Sequence, residues 1–281
     1  MRTRPWAAIA RVPTAEGLLW FKQPAPANAF EPQLTEAVAR QAPDFAPEVV
    51  AADDTRLLTA DAGPSLRELE PDWESVLVRL AELQIALAQD VDELLGLGAP
   101  DKRPEVLPGS YRELVARTGL PAELRTRLHE LEPAVERRAS ALGENIPPSI
   151  AHEEVHGGNL FVRDGRCRLL DWGEACISHP FAGLVNTLRA IVDGQGLEPG
   201  DPEVLRLRDV YLEPWTAFEP LPELRELFES AYVLGTICRA LTWDAILAPL
   251  PAAEVEPFGH SVAAWLEIYA ETEEHPEKLG A

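Results

Sequence analysis

The most constraining feature of the sequence is an Asp-Gly pair, Asp164-Gly165, between two runs of strand-forming residues. Asp-Gly suits the positive φ angles of a type I′ turn, so residues 160–163 and 166–169 are predicted to form a β-hairpin with a two-residue loop. Once Arg163 pairs with Arg166, the register brings Asn159 opposite Leu170. Asn159 therefore lies beside Asp171 at the open end of the hairpin.

Asn159 and Asp171 offer an amide oxygen and a carboxylate, which are the hard oxygen donors that Mg²⁺ prefers. A further carboxylate, Glu154, lies five residues before Asn159. A loop with a carboxylate and an amide, then a hairpin that leads to a second carboxylate, is typical of a phosphotransfer site.

A competing motif overlaps this loop. Residues 152–156 read His-Glu-Glu-Val-His, the HExxH pattern in which a helix presents two histidines to zinc and Glu153 acts as general base. Pro147-Pro148 before the motif and Gly157-Gly158 after it leave no room for a useful helix. A zinc hydrolase stays as a minor alternative. A purely structural role for the histidines explains them, but it does not explain the register of Asn159 and Asp171.

The remaining periodicities divide the chain into two parts. Before an Asp-Ala-Gly-Pro-Ser linker at 61–65 the pattern predicts four strands and one helix, and after it apolar residues recur at helical spacing. The predicted strands are 7–12, 18–22, 49–52 and 56–59, with a five-residue loop joining the first two, and the helix is 30–40. The main predicted helices afterwards are 80–94, 121–142, 224–241 and 261–274.

Composition excludes several classes of protein. The chain has 281 residues with 47 acidic and 25 basic side chains, a net charge of −22, so nucleic acid and anionic membranes are not expected partners. No window approaches the ~18 apolar residues of a membrane span, and we expect a cytoplasmic protein. The three cysteines lack CxxC spacing and are expected to be buried apolar side chains.

The central segment resembles a known family. Residues 150–162 followed by Leu-Asp-Trp-Gly at 170–173 are similar to the catalytic segment of the aminoglycoside phosphotransferase and choline kinase-like family, which typically reads His-Gly-Asp-Leu-His-Pro-Gly-Asn, a hairpin, then Asp-Trp or Asp-Phe. The resemblance implies an α+β, two-lobed protein-kinase-like fold. Residues 1–63 would form a small strand-rich nucleotide-binding lobe with the hinge, and 64–281 a larger, mostly helical lobe with the catalytic loop at 150–173.

The resemblance extends to the first strands and implies how a nucleotide is held. Leu-Leu-Trp-Phe-Lys at 18–22 resembles the strand that carries the phosphate-binding lysine, so Lys22 would contact the α and β phosphates of ATP or GTP. Glu31, at the start of the next helix, would form an ion pair with Lys22. Glu36 on the same helix is the alternative partner.

The family also implies roles at the hinge and in the catalytic segment. Backbone groups of the hinge, at Ala60 and Ala62, would meet the base. Asn159 and Asp171 would hold Mg²⁺, and His152 would support the loop through hydrogen bonds.

Three positions depart from the family pattern. Glu154 occupies the catalytic position where the family has Asp, and the additional methylene moves a general base by more than an ångström. The first strand of the family is missing or abbreviated, because only six residues precede residue 7, with Arg4 and Trp6 as its remnant. Residues 179–184 carry no acid where many relatives place an Asp that supports the catalytic loop.

Two hypotheses follow from the resemblance. The first is a small-molecule kinase that moves the γ-phosphoryl group of MgATP or MgGTP to a hydroxyl positioned by Glu154. Its acceptor would be cationic, like an aminoglycoside or an amino alcohol, because the acidic chain attracts cations. The second, motivated by Glu154 and the short N-terminus, is a kinase-like nucleotide-binding module with weakened catalysis. The sequence leaves the oligomeric state open.

Overall fold

The computed structural model describes residues 1–280 and begins with a five-stranded antiparallel sheet. The strand order is β1-β2-β3-β5-β4, and a short 3-10 turn (Pro26–Asn28) followed by helix α1 (Glu31–Gln41) connects β3 to β4. The buried face of α1, which includes Leu34 and Val38, joins the hydrophobic core. The five strands are β1 (Arg2–Arg4), β2 (Ala7–Thr14), β3 (Gly17–Pro24), β4 (Val49–Ala52) and β5 (Leu57–Ala60).

The structure corrects one expectation for the N-terminal strands and adds a strand to them. The β2–β3 loop has two residues rather than five, because Thr14 pairs with Gly17, whose φ of +139° suits only glycine. A short strand that the sequence patterns did not predict, β1, pairs with β2 from Arg2↔Ile9 to Arg4↔Ala7. Trp6, in the turn between them, packs 5.2 Å from Phe258 and 6.3 Å from Trp243 of the helical part, measured between ring centroids.

The remainder of the chain is mostly helical. The 27-residue helix α8 (Leu221–Leu247) lies at the centre of this part, and apolar residues on most of its sides are buried. The predicted 80–94 helix is divided by a short 3-10 segment, Ala88–Asp90. The helices are α2 (Trp73–Leu87), α3 (Val91–Gly96), α4 (Leu107–Arg117), α5 (Ala122–Ala141), α6 (Val185–Gln195), α7 (Pro202–Leu212), α8, α9 (Ala252–Val255) and α10 (Ser261–Glu274).

None of the helices within residues 1–280 is both long and apolar enough to span a membrane. With the small antiparallel sheet before the larger helical part, the architecture is the two-lobed α+β arrangement expected from the sequence.

Two short strand pairs position the central segment. Strand β6 (Ser149–Ala151) pairs antiparallel with β9 (Cys176–Ser178), and β7 (Leu160–Arg163) pairs with β8 (Arg166–Leu169). The β7–β8 register is the predicted one, with Arg163 opposite Arg166. The Leu170 N–H donates to the Asn159 carbonyl at 2.9 Å, so Asn159 and Asp171 end up side by side.

Candidate active site

Lys22 connects the sheet to the catalytic segment. Its Nζ lies 2.5 Å from Glu31 Oε1 and 2.5 Å from Asp171 Oδ1. Burial lowers the pKa of Lys22, but the two carboxylates, Asp171 first, outweigh this effect and hold the pKa above its usual range. Burial also raises the pKa of Glu31 to about 7, although the Lys22 charge opposes this rise. Glu36, the alternative partner, is exposed on the outer side of α1.

The donor set of Asn159 and Asp171 fits a magnesium ion. The Asn159 amide donates from Nδ2 to the Glu154 carbonyl at 3.0 Å, which turns its Oδ1 away as an acceptor or ligand. The Asp171 side chain is about half exposed (52%), and its φ of +70° places it in the left-handed region. One amide oxygen and one accessible carboxylate leave space in the shell for phosphate oxygens and water, as Mg²⁺ requires.

His152 lies at the start of the loop 152–159 and supports it from within. Its Nε2 is 3.0 Å from the Leu170 carbonyl, and its Nδ1 accepts from the Glu154 N–H at 3.2 Å. The ring is buried against the edge of Trp172, with 4.6 Å between ring centroids. Burial lowers the pKa of His152 to about 4, so the ring is neutral at pH 7.

The HExxH residues do not form a helix. They follow strand β6 as an irregular loop, and Glu153 has a φ of +63°, outside the helical region. His152 is occupied by the loop backbone as described, while His156 Nε2 lies 3.1 Å from Glu154 Oε2. The helical prerequisite of the zinc hydrolase alternative is therefore absent.

Glu154, which the family resemblance assigns to the catalytic position, has three side-chain partners. Its Oε1 accepts from Arg239 Nη2 at 2.5 Å and from Asn186 Nδ2 at 2.6 Å, and its Oε2 faces His156. Burial acts to raise the pKa of Glu154, but the Arg239 guanidinium and the two neighbouring histidines, His156 and His152, together outweigh it and keep the pKa below its usual range. Glu154 is thus ionised at neutral pH and able to accept a hydrogen bond from a hydroxyl.

Glu153, which stands where the family pattern His-Gly-Asp has glycine, belongs to a buried ionic cluster. Its carboxylate lies 2.8 Å from Lys102 Nζ and 3.2 Å from Arg239 Nη1, and it accepts from Thr242 Oγ1 at 2.5 Å. Charged side chains are rarely buried unless they are paired. The cluster therefore offsets the cost of a non-glycine residue at positive φ and fastens the loop to α8.

Other polar contacts support the loop near residues 179–184, where the family resemblance leads one to expect an acid. Gln84 Nε2 donates to the carbonyls of Ile150 (2.8 Å) and Pro180 (3.2 Å), and Asn186 Nδ2 donates to the Glu153 carbonyl at 3.0 Å. A Cβ on Gly183 would lie 2.9 Å from the Ala151 Cβ, so no side chain fits at that point without movement. The support that the sequence lacks at 179–184 comes from α2 and α6.

His179 predicts a pH dependence of stability. Burial alone lowers its pKa to about 3, while Nδ1 accepts from the Phe181 N–H. At pH values between about 6.5, the ordinary pKa of histidine, and the lowered pKa, residue 179 is protonated in the unfolded chain but not in the folded one. Acidification through this range therefore lowers the free energy of unfolding. In urea unfolding below about pH 6.5, the free energy of unfolding of the wild type should fall by about 1.4 kcal/mol per pH unit relative to that of His179→Asn. Asparagine can accept the same backbone hydrogen bond but does not titrate. Equal pH dependences of the unfolding free energy in the two proteins would therefore contradict this prediction.

The predicted hinge is joined to neighbouring elements. The Ala60 N–H donates to the Glu48 carbonyl at 2.9 Å, and Ala62 is buried. Asp61 between them accepts from Trp20 Nε1 at 2.8 Å and pairs with Arg163 at 2.9 Å.

The site contains residues that sequence reasoning missed: Gln84, Lys102, Asn186 and Arg239. One signal for Lys102 was available, because the chain has only three lysines and two of them, Lys22 and Lys102, lie at the site. Arg239 is only 3% exposed within the buried part of α8, and such burial is unusual for a charged side chain.

Cys176 and Cys238 are buried as expected, whereas Cys167 is half-buried.

The site combines three features: a lysine of the β-sheet paired with a glutamate, an asparagine beside an aspartate, and a carboxylate on the loop before the asparagine. Together they define a site of the phosphotransferase class. The family model described as phosphotransferase enzyme family matches residues 19–227, which include all of these side chains. The chain belongs to this family. A comparison with curated protein sequences finds no match.

Solved structures share the fold at low sequence identity. A putative fructosamine-3-kinase from Thermobifida fusca is 20% identical with a TM-score of 0.59, covering 97% of this chain and 91% of that chain. The ethanolamine kinase of Plasmodium vivax is 10% identical with a TM-score of 0.61 and coverages of 95% and 81%. The GDP and kanamycin complex of APH(2")-IIIa is 14% identical with a TM-score of 0.57 and coverages of 96% and 93%.

Proposed function

We propose that the protein is a small-molecule kinase that transfers the γ-phosphoryl group of ATP or GTP to a hydroxyl of a cationic acceptor. The observation that carries the proposal is the convergence of Lys22 and Asp171 at 2.5 Å, beside Asn159 and one loop away from Glu154. Phosphoryl transfer depends mainly on positioning and charge neutralisation, and this group of side chains supplies both.

Each side chain has a role in the proposed reaction. Lys22, oriented by Glu31, would bind the α and β phosphates, and the backbone at Ala60 and Ala62 would meet the base. Asn159 and Asp171 would hold Mg²⁺, which supplies positive charge against the phosphate oxygens.

Glu154 would accept a hydrogen bond from the acceptor hydroxyl and orient its oxygen toward the γ-phosphorus. The new bond joins that oxygen to phosphorus, the bond from phosphorus to the β–γ bridging oxygen breaks, and the hydroxyl proton leaves through Glu154. His152 would keep the loop in this geometry.

The proposed class of acceptor follows from charge. A net charge of −22 attracts cations and repels anionic acceptors over about one Debye length. The structural neighbours with kanamycin and ethanolamine in their descriptions handle molecules with amino groups, and the same class is proposed here. The bound GDP of one neighbour supports a nucleoside triphosphate as co-substrate.

Thermal unfolding with and without MgATP or MgGTP tests the proposal, followed by nucleotide turnover against amino sugars, peptide antibiotics and amino alcohols. A ligand at 100 times its Kd stabilises a folded protein by about 2.7 kcal/mol, so a clear rise in Tm is expected. Turnover should appear with at least one hydroxyl-bearing amine. Absence of both stabilisation and turnover would overturn the proposal.

A nucleotide-binding module with weakened catalysis is the second candidate. The observation that favours it is the engagement of Glu154 by Arg239 and Asn186, which leaves only Oε2 for a hydroxyl. In the same experiment this candidate predicts nucleotide stabilisation without turnover on any acceptor.

A further inference from the structure

The Glu154 carboxylate is held asymmetrically. Its Oε1 takes both short contacts, from Arg239 Nη2 at 2.5 Å and from Asn186 Nδ2 at 2.6 Å. Its Oε2 contacts only the His156 ring, at 3.1 Å. The His156 side chain is 32% exposed and the Arg239 side chain 3%, so the Oε2 side of the carboxylate is the side open to a ligand.

The backbone of Glu154 is fixed independently of its side chain. The N–H donates to His152 Nδ1 at 3.2 Å, and the carbonyl accepts from Asn159 Nδ2 at 3.0 Å. Because the backbone N–H and carbonyl of Glu154 are both held, the position of its carboxylate depends only on the side-chain torsions. The additional methylene of a glutamate adds one such torsion, so an external partner is needed to select one position.

Arg239 is suited to make that selection. It lies on the buried face of α8, stacks at 5.6 Å over the ring of Trp265, and contacts Glu153 and Glu174 as well as Glu154. A planar guanidinium shared among three carboxylates has little freedom to move, and a lysine cannot reproduce the geometry. Burial raises the pKa of Glu174 to about 7, although the Arg239 charge opposes this rise.

We propose that Arg239 is a positioning residue for phosphoryl transfer: it holds Oε1 of Glu154 so that Oε2 receives the acceptor hydroxyl. This inference rests on the proposed function of the site and deepens it. Glu154 and Arg239 then form a matched pair in which the longer carboxylate of this chain reaches a cation on α8. The aspartate of the family pattern is too short by one methylene to keep the same contact.

A double-mutant cycle tests the pair, with phosphate release from saturating MgATP in water as the readout, so that no acceptor has to be known. Arg239→Lys is expected to lower kcat on the order of 10²-fold with the KM for MgATP changed by about twofold or less. In the Glu154→Gln background the same substitution should cost less than about threefold, because its effect passes through the carboxylate. Independent, additive losses would overturn the assignment.

Glu154→Asp provides a second, milder variant. We expect it to lower kcat by about 10-fold or more, because the shortened carboxylate loses Arg239. Wild-type or increased kcat would overturn the proposal. Arg138→Lys is the matched control, since Arg138 of α5 pairs with Glu273 of α10 at 2.6 Å and contacts none of the loop carboxylates, and it should leave kcat unchanged.

The failure of the two proposals can be told apart. If the wild type releases no phosphate above the level of Asp171→Asn, and neither nucleotide stabilisation nor turnover on any acceptor of the panel is seen, the proposed function itself is wrong. If the wild type releases phosphate and the cycle is additive, only the assignment of Arg239 is wrong. Thermal unfolding of every variant establishes that a lost rate does not come from a lost fold.

Discussion

Asp171→Asn is expected to reduce nucleotide turnover on the order of 10³-fold, the largest effect of any single substitution at this site. The substitution removes the one accessible carboxylate of the proposed magnesium pair, and an amide binds Mg²⁺ more weakly than a carboxylate does. The φ of +70° at residue 171 is tolerated by asparagine, so the backbone should persist. Steady-state turnover and the nucleotide-dependent shift in Tm measure the loss.

Asp164→Asn is the matched control for this experiment. Asp164 lies in the turn of the same hairpin, also at positive φ (52°), and its side chain is exposed to solvent. The same chemical change at residue 164 should leave turnover and nucleotide stabilisation within about twofold of wild type. Equal losses in both variants would mean that the hairpin, and not the Asp171 carboxylate, is responsible.

Lys22→Met is expected to reduce turnover on the order of 10²-fold to 10³-fold, mainly by removing the charge that meets the phosphates. Without nucleotide the variant also leaves buried Glu31 without its partner, which should cost roughly 1–3 kcal/mol of unfolding free energy. Urea unfolding measures the second effect and steady-state kinetics the first.

Lys278→Met is the control for the loss of a lysine, because Lys278 is exposed near the C-terminus. Lys278→Met should change neither the turnover of nucleotide nor the free energy of unfolding. A Lys22→Met variant that binds and turns over nucleotide like the wild type would contradict the role proposed for Lys22.

Local patterns predicted the central hairpin and most helices. Asp164-Gly165 determined the β7–β8 register because a two-residue turn allows one pairing, and this register placed Asn159 beside Asp171. The helix 261–274 was predicted with the same bounds that the structure gives. The β2–β3 loop was predicted too long, because Pro13 and Thr14 look like turn residues although both pair with β3.

Contacts between distant parts of the chain were beyond prediction. Arg239 lies 85 residues from Glu154, and Lys102 lies 51 residues from Glu153. Neither contact follows from a local period or motif, since it depends on how α8 and the segment after α3 pack against the loop. The contacts of Gln84 and Asn186 with the loop have the same origin.

The pairing of Glu154 with Arg239 gives a physical account of the departure from the family's Asp. The longer side chain is held by a buried cation, while Glu153, at the family's glycine position, is held by Lys102 and Thr242. Glu153 and Glu154 thus both have partners on α8 or beside it. The loop and α8 form one unit, and substitutions in either are expected to affect both.

Transfer of labelled phosphoryl from γ-labelled ATP and GTP to the acceptor panel, with the product identified by mass spectrometry, is the most direct test of the account. We predict a phosphorylated hydroxyl on at least one amine-bearing acceptor with the wild type and its loss with Asp171→Asn. If no nucleotide stabilises the protein and no acceptor is labelled, or if labelling persists in Asp171→Asn, the account is contradicted.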